Sequence, residues 1–223
     1  MKQKLFTFCA AALLLAACNN EKKTDGDKTE PKTETPDTGR AAPAWPPDSA
    51  EQAKMMKAWQ DFATPGDMHK WMAKNAGAWS CDSVAQWMAP DAPPSYSKAS
   101  SVEKVIMDGL YMEGDFSSTM MGMPMTGKSL TGYDKAKKKF ISSWIDNLGS
   151  GIVHMEGTYD EATKILHLKG KQSDPATGGE SDIRQEQKWI DDDTYVLSMY
   201  GTGHDGKTEQ KFMEGTFKRK KKL

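Results

Sequence analysis

A chain of 223 residues, 37% apolar and 27% charged, is long enough for a sizeable core, and its formal net charge is −1. Near-neutrality excludes nucleic acid as a partner, because binding phosphates needs a basic face. The basic run from Lys218 to Lys222 reads as a solvated terminal tail.

Lys2 and Lys4 precede an almost unbroken apolar run from Leu5 to Leu15, too short to span a bilayer as a stable helix. The run ends Leu15-Ala16-Ala17-Cys18, followed by Asn19 and Asn20. This tetrapeptide, placed after such a segment, resembles the bacterial lipobox. It implies a lipoprotein signal peptide over residues 1–17 and a diacylglycerol on the thiol of Cys18, the mature N-terminus. Several acyl chains, at about 0.8 kcal/mol per buried methylene, anchor a protein stably. The membrane is thus an expected partner through Cys18, and the expected location is the cell envelope, lipid-anchored. The outer membrane is favoured because Asn19 offers no obvious inner-membrane retention cue.

Residues 18–46 are rich in Glu, Lys, Thr, Asp and Pro with no apolar period, so they read as a disordered tether. Of the three cysteines, Cys9 lies in the export segment and Cys18 is the lipidation site. Cys81 is left alone, so no internal disulfide is expected, and its place on a strand predicts a buried, inert thiol.

Residues 47–76 predict a helical cap. Asp48 can start a helix running to about Phe62, with Met55, Met56, Trp59 and Phe62 near one stripe. Thr64-Pro65 stops it and opens a second helix to about Asn75, carrying Met68, Trp71 and Met72. Both are expected to pack over one end of a sheet, with His69 at the surface or as a cap.

From Gly77 onward the chain alternates apolar and polar residues in short segments. Asp108-Gly109, Asp134-Lys135, Gly149 to Gly151, Asp191 to Asp193 and His204-Asp205-Gly206 mark turns. Met120 to Met125 (MMGMPM), interrupted by Gly122 and Pro124, reads as a loop or bulge at a strand end. The pattern predicts a mainly β fold over 77–221: an up-and-down antiparallel β-barrel of about ten strands with room for a small ligand. A sandwich is the alternative.

Gly77-x-Trp79 at the start of such a series resembles the lipocalin and calycin signature. There the Trp plugs the barrel floor and an Arg of the last strand stacks on it, which makes Arg219 the partner expected for Trp79. His69-Lys70, Gly77-x-Trp79, Met120-Met121-Gly122, Gly132-Tyr133-Asp134 and Trp144-Ile145-Asp146 appear in order. Glu156 to Asp160, Asp174-Pro175, Arg184-x-Glu186 and Met213-Glu214 follow. Together they resemble the bacterial domain-of-unknown-function 1579 family over roughly residues 65–221. The resemblance implies a calycin-like barrel and brings no mechanism. The chain departs from that pattern at Phe217, where a Tyr is expected, and at Gly215, where a β-branched residue is expected.

Three constellations suggest chemistry. Trp144, Asp146, His154 and Glu156 fall on adjoining strands, and Arg184 with Glu186 could join them as an interior polar cluster orienting a small ligand. The bland alternative leaves only Trp144 packed inward. Met120, Met121, Met123 and Met125 offer thioethers to a soft metal such as Cu(I), giving a copper-handling protein as one alternative; plastic core filling is the plainer use of methionine. Asp146 with Glu156 could serve as acid and base in a hydrolase-like enzyme, the other alternative. His154 or His167 could ligate a haem, but no haem motif supports either, and no cofactor is expected. With no nucleophile elbow, zinc-protease motif or phosphate loop, non-catalytic binding of a small, partly apolar molecule is the favoured function.

Overall fold

Alternation of inward and outward side chains runs through ten strands. They are β1 (Gly77–Gln86), β2 (Ser95–Ile106), β3 (Tyr111–Met120), β4 (Met123–Asp134), β5 (Lys139–Asp146), β6 (Val153–Asp160), β7 (Ile165–Asp174), β8 (Gly179–Asp191), β9 (Thr194–Thr202) and β10 (Glu209–Arg219). A computed structural model describes residues 49–203 and 206–220. The expected signal peptide, Cys18, the tether, His204-Asp205 and the last three residues lie outside the described residues. Every strand pairs antiparallel with its sequence neighbours, and β10 returns to β1, so the sheet is a closed up-and-down barrel.

The turns repeat one device. At five strand ends an Asp carboxylate accepts the N–H two residues on: Asp134 from Ala136, Asp146 from Leu148, Asp160 from Ala162, Asp174 from Ala176 and Asp191 from Asp193. A short side-chain acceptor there replaces the lost ladder partner and turns the chain. The segment MMGMPM is a hairpin, not a loop. β3 runs to Met120 and β4 resumes at Met123 around Met121 and Gly122, both at positive φ, as a two-residue turn of the primed type requires. Pro124 is tolerated because β5 ends at Asp146, opposite Gly127, so no strand lies beyond Pro124 to use its missing N–H.

The outer face carries ion pairs, among them Lys139 with Glu156, Lys171 with Asp182 and Arg184 with Glu209. The inner face is mostly apolar. This is the reverse of a lipid-facing barrel.

The two helices behave differently. In α2 (Asp67–Lys74), Met72 is buried and Trp71 packs on Phe140, Tyr159 and Trp189. His69 does cap this helix, accepting the Gly66 N–H at Nδ1 over 3.1 Å, but it is buried against Tyr133 instead of standing at the surface. In α1 (Ser49–Ala63) no residue is buried, and Met55, Met56, Trp59 and Phe62 stay exposed. The expected packing of α1 over the sheet does not occur; Lys135 ties its end by donating to the carbonyls of Asp61 and Thr64.

Trp79 is fully buried, and the Arg219 guanidinium lies 4.2 Å over its ring. Arg219 also donates to the carbonyls of Ala76 (2.7 Å), Lys74 (3.0 Å) and Asp192 (2.9 Å), and to Asp193 Oδ1 (2.8 Å). It thereby satisfies carbonyls left over at the C-terminal end of α2 while stacking on an indole. Gly215 has a packing reason. A bulge in β1 between Ser80 and Val84 brings Cys81 Sγ and Val84 Cγ2 to 3.1 Å from where a Cβ would stand. Phe217 is fully buried and stacks on Tyr195, ring centres 5.0 Å apart.

Replacing Arg219 with Lys keeps the charge but loses the planar fork and the stacking, so Arg219→Lys is expected to lose about 2 kcal/mol in urea unfolding. A loss below about 0.5 kcal/mol, the usual surface value, would show that the fork is not what closes the barrel.

Candidate ligand-binding site

The closed sheet surrounds a cavity of about 340 Å³. Trp71, Met72 and Trp79, held by α2 and the start of β1, lie at its helix-covered end. Leu166, Leu168, Ile183, Leu197 and Met199 give it an apolar wall from β7, β8 and β9. From β2 to β5 polar side chains, Ser101, Glu103, Ser129, Thr131 and Ser142, face the same space among apolar ones such as Met112, Phe116 and Phe140. Thr131 and Ser142 share a hydrogen bond between their hydroxyls at 2.9 Å.

Glu103 is the unexpected member. On β2 it stands opposite Gly77 of β1 and Gly114 of β3. A Cβ at Gly114 would come within 2.6 Å of Glu103 Oε2, so the missing side chain makes the room the carboxyl occupies. Burial pushes Glu103 up to about 7 from the ordinary 4.5; the Ser101 hydroxyl pulls it down, and Asp115 raises it further. Burial also raises Tyr195, followed by the charge of Glu103. Ser101 thus stands near both groups, yet its Oγ makes no hydrogen bond of acceptable geometry. Nor does Trp189 Nε1. Ser101 is 4% exposed and Trp189 7% exposed, and both line the cavity. A buried polar atom left unpaired costs about 1–3 kcal/mol, so two lining one cavity, from β2 and from β8, call for a partner from outside the chain.

Of the residues singled out from sequence, Trp144 and Asp146 do line the cavity. Trp144 Nε1 donates to Asp146 Oδ2 at 2.7 Å, and Asp146 Oδ1 accepts from the Leu148 N–H at 2.8 Å. His154, Glu156, Arg184 and Glu186 stand on the outer face. The register between β5 and β6 is the reason: Trp144 pairs with Val153, and His154 with Ser143, one residue away from the parity that would have brought His154 inside. His154 Nδ1 meets Ser143 Oγ at 3.0 Å, and Glu156 accepts from Lys139 at 2.6 Å. Along β8, Ile183, Gln185, Gln187 and Trp189 line the cavity, which turns Arg184 and Glu186 outward. There Arg184 pairs with Glu186 and Glu209 and lies 3.8 Å over the Tyr200 ring. His167 faces Glu186 on that outer surface, at 3.4 Å. Asp146 and Glu156 therefore lie on opposite faces of the sheet and share no reacting centre. The Met-rich hairpin splits likewise: Met120 and Met125 line the cavity, whereas Met121 and Met123 are exposed, so the four thioethers do not converge.

Ser101, Glu103, Tyr195 and Trp189 were not foreseen. The apolar signal on β2 points the wrong way: Val102 is 41% exposed, while Glu103 beside it faces in.

Residues 64–219 match the family described as Protein of unknown function (DUF1579), and the chain belongs to it. No curated protein matches the sequence.

The raised Glu103 carboxyl has a consequence for stability. Its folded state holds a proton that the unfolded chain gives up, so its contribution is complete below about pH 4.5 and is lost as pH rises through about 7. At about 1.4 kcal/mol per pKa unit the wild type forfeits up to about 3 kcal/mol over that window. Glu103→Gln is expected to flatten this decline in denaturation curves between about pH 5 and pH 8. An unchanged pH profile in the variant would place the carboxyl in water.

Proposed function

We propose that this DUF1579 protein binds a small, partly apolar molecule inside its barrel and does not transform it. The observation that carries this is the pair of orphaned polar atoms, Ser101 Oγ and Trp189 Nε1, on the wall of a cavity of about 340 Å³ otherwise lined largely by apolar side chains. A cavity of that size suits a small organic ligand, and a few polar groups among apolar ones fix its orientation. Non-catalytic binding is favoured because, among the described residues, the lining pairs no nucleophile with a base in hydrogen-bonding geometry. Ser101 Oγ is unpartnered, Thr131 and Ser142 bond each other, and Asp146 is occupied by Trp144 and Leu148. We place this domain on an envelope membrane, held through lipidated Cys18 by a tether over 18–46. That placement rests on the Leu15-Ala16-Ala17-Cys18 motif.

Native mass spectrometry of protein purified from its own cells should retain an organic mass, and the neutral dye Nile red should bind saturably to stripped protein. Finding no retained mass and no saturable dye binding would overturn the reading. For the anchor, Cys18→Ala should move the protein from the membrane fraction to the soluble fraction, and the wild-type N-terminal peptide should carry the diacylglycerol mass. Equal partitioning of the two proteins would remove the anchor.

A further inference from the structure

We propose that the molecule held in the barrel is an organic cation, a protonated amine on an apolar body, with its ammonium group donating to Glu103 and Ser101. This rests on the binding reading above and adds the sign of the charge. Among the described residues the charged groups lining the cavity are Glu103 and Asp146, both acids; no Lys, Arg or His lines it. The groups that shift Glu103 include no cation either. Ser101 lies on its own strand, Tyr195 on β9 and Asp115 on β3, while Cys81 of β1 sits beside Tyr195. An anionic ligand, such as a fatty acid, would bring a further negative charge into this space with nothing to pair it, a costly arrangement. A cation supplies the partner the carboxylate lacks.

The rest of the cavity fits the same ligand. Trp71, Trp189, Tyr195, Phe116, Phe140 and Trp144 line it with aromatic surface, which attracts ammonium groups and accommodates an apolar body. The Ser101 hydroxyl, buried beside Glu103, can accept an ammonium proton, and the orphaned Trp189 N–H can donate to an oxygen elsewhere on the ligand. Asp146 differs from Glu103 in that both its oxygens already accept hydrogen bonds. Glu103 is therefore the carboxylate available to the ligand.

The test compares three probes of one shape by titration calorimetry on the full chain: phenylbutylamine, phenylbutanol and phenylbutyrate, at about pH 8, where Glu103 is ionised. The amine should bind at least about tenfold more tightly than the alcohol, and the acid more weakly than the alcohol. Glu103→Gln should remove the amine's preference over the alcohol, and Glu103→Asp should restore part of it. In the wild type the preference should shrink at about pH 5.5, a readout that needs no variant to fold. Overturning results are an acid that binds as well as the amine, a preference that survives Glu103→Gln, or one that does not change with pH. If the alcohol binds but the amine gains nothing, the charge assignment alone fails. If none of the three binds, the barrel-binding reading fails with it.

Discussion

A guanidinium lying on an indole fastens the last strand of this protein to its first. Arg219 belongs to β10, Trp79 to β1, and the carbonyls Arg219 captures belong to the end of α2 and to the turn between β8 and β9. One side chain therefore joins parts of the chain more than a hundred residues apart, at the seam where an open sheet would otherwise have two free edges. Closure is what removes the edges of an antiparallel sheet. It also creates an inside, and everything proposed about a ligand depends on that inside existing.

The enclosed space is left unfilled by the way the core divides. One cluster gathers Trp79, Trp189, Tyr195 and Phe217; a second gathers Phe140, Met155, Leu166 and Leu168. The cavity draws lining from both, and Trp71 of α2 packs against each. A barrel of about this strand number is just wide enough for its own side chains to fill it or for one small ligand to replace some of them. Here β2 to β5 set Ser101, Glu103, Ser129, Thr131 and Ser142 among their larger apolar side chains, at positions where further bulky ones would have closed the gap. Small and polar residues there keep the lumen open.

Much of the architecture could be read from residues alone. The turns at Asp134 and Asp191, the Gly77-x-Trp79 opening and the alternation within each strand all depend on local chemistry, which a sequence carries directly. What could not be read was register. Alternation states which residues of one strand share a face. It does not state how that strand is offset against its neighbour, and a slip of one residue moves every side chain to the other face. That offset put His154 and Glu156 in solvent while Trp144 and Asp146 stayed inside. On β2 the difficulty is deeper, because an exposed Val102 beside an enclosed Glu103 contradicts the hydrophobic pattern itself. The packing of α1 was misjudged for a related reason: a stripe of Met and Trp shows that a face can be buried, not that something covers it.

The exception on β2 is informative because of what it costs. A carboxyl taken out of water, a hydroxyl and an indole N–H without partners, and an apolar lumen without packing each work against folding. Distributed through the molecule, they would look like ordinary imperfections of packing. They are instead gathered around one cavity, where Glu103, Ser101 and Tyr195 perturb one another and Trp189 lies against the Tyr195 ring. Outside that lumen turns are capped by their own Asp residues, the seam is closed by Arg219, and many outward charges are paired. Unpaired polar groups gathered round one enclosed place mark where selection has favoured something other than stability. A guest that carries its own hydrogen-bonding groups into the lumen would cancel all of these costs at once.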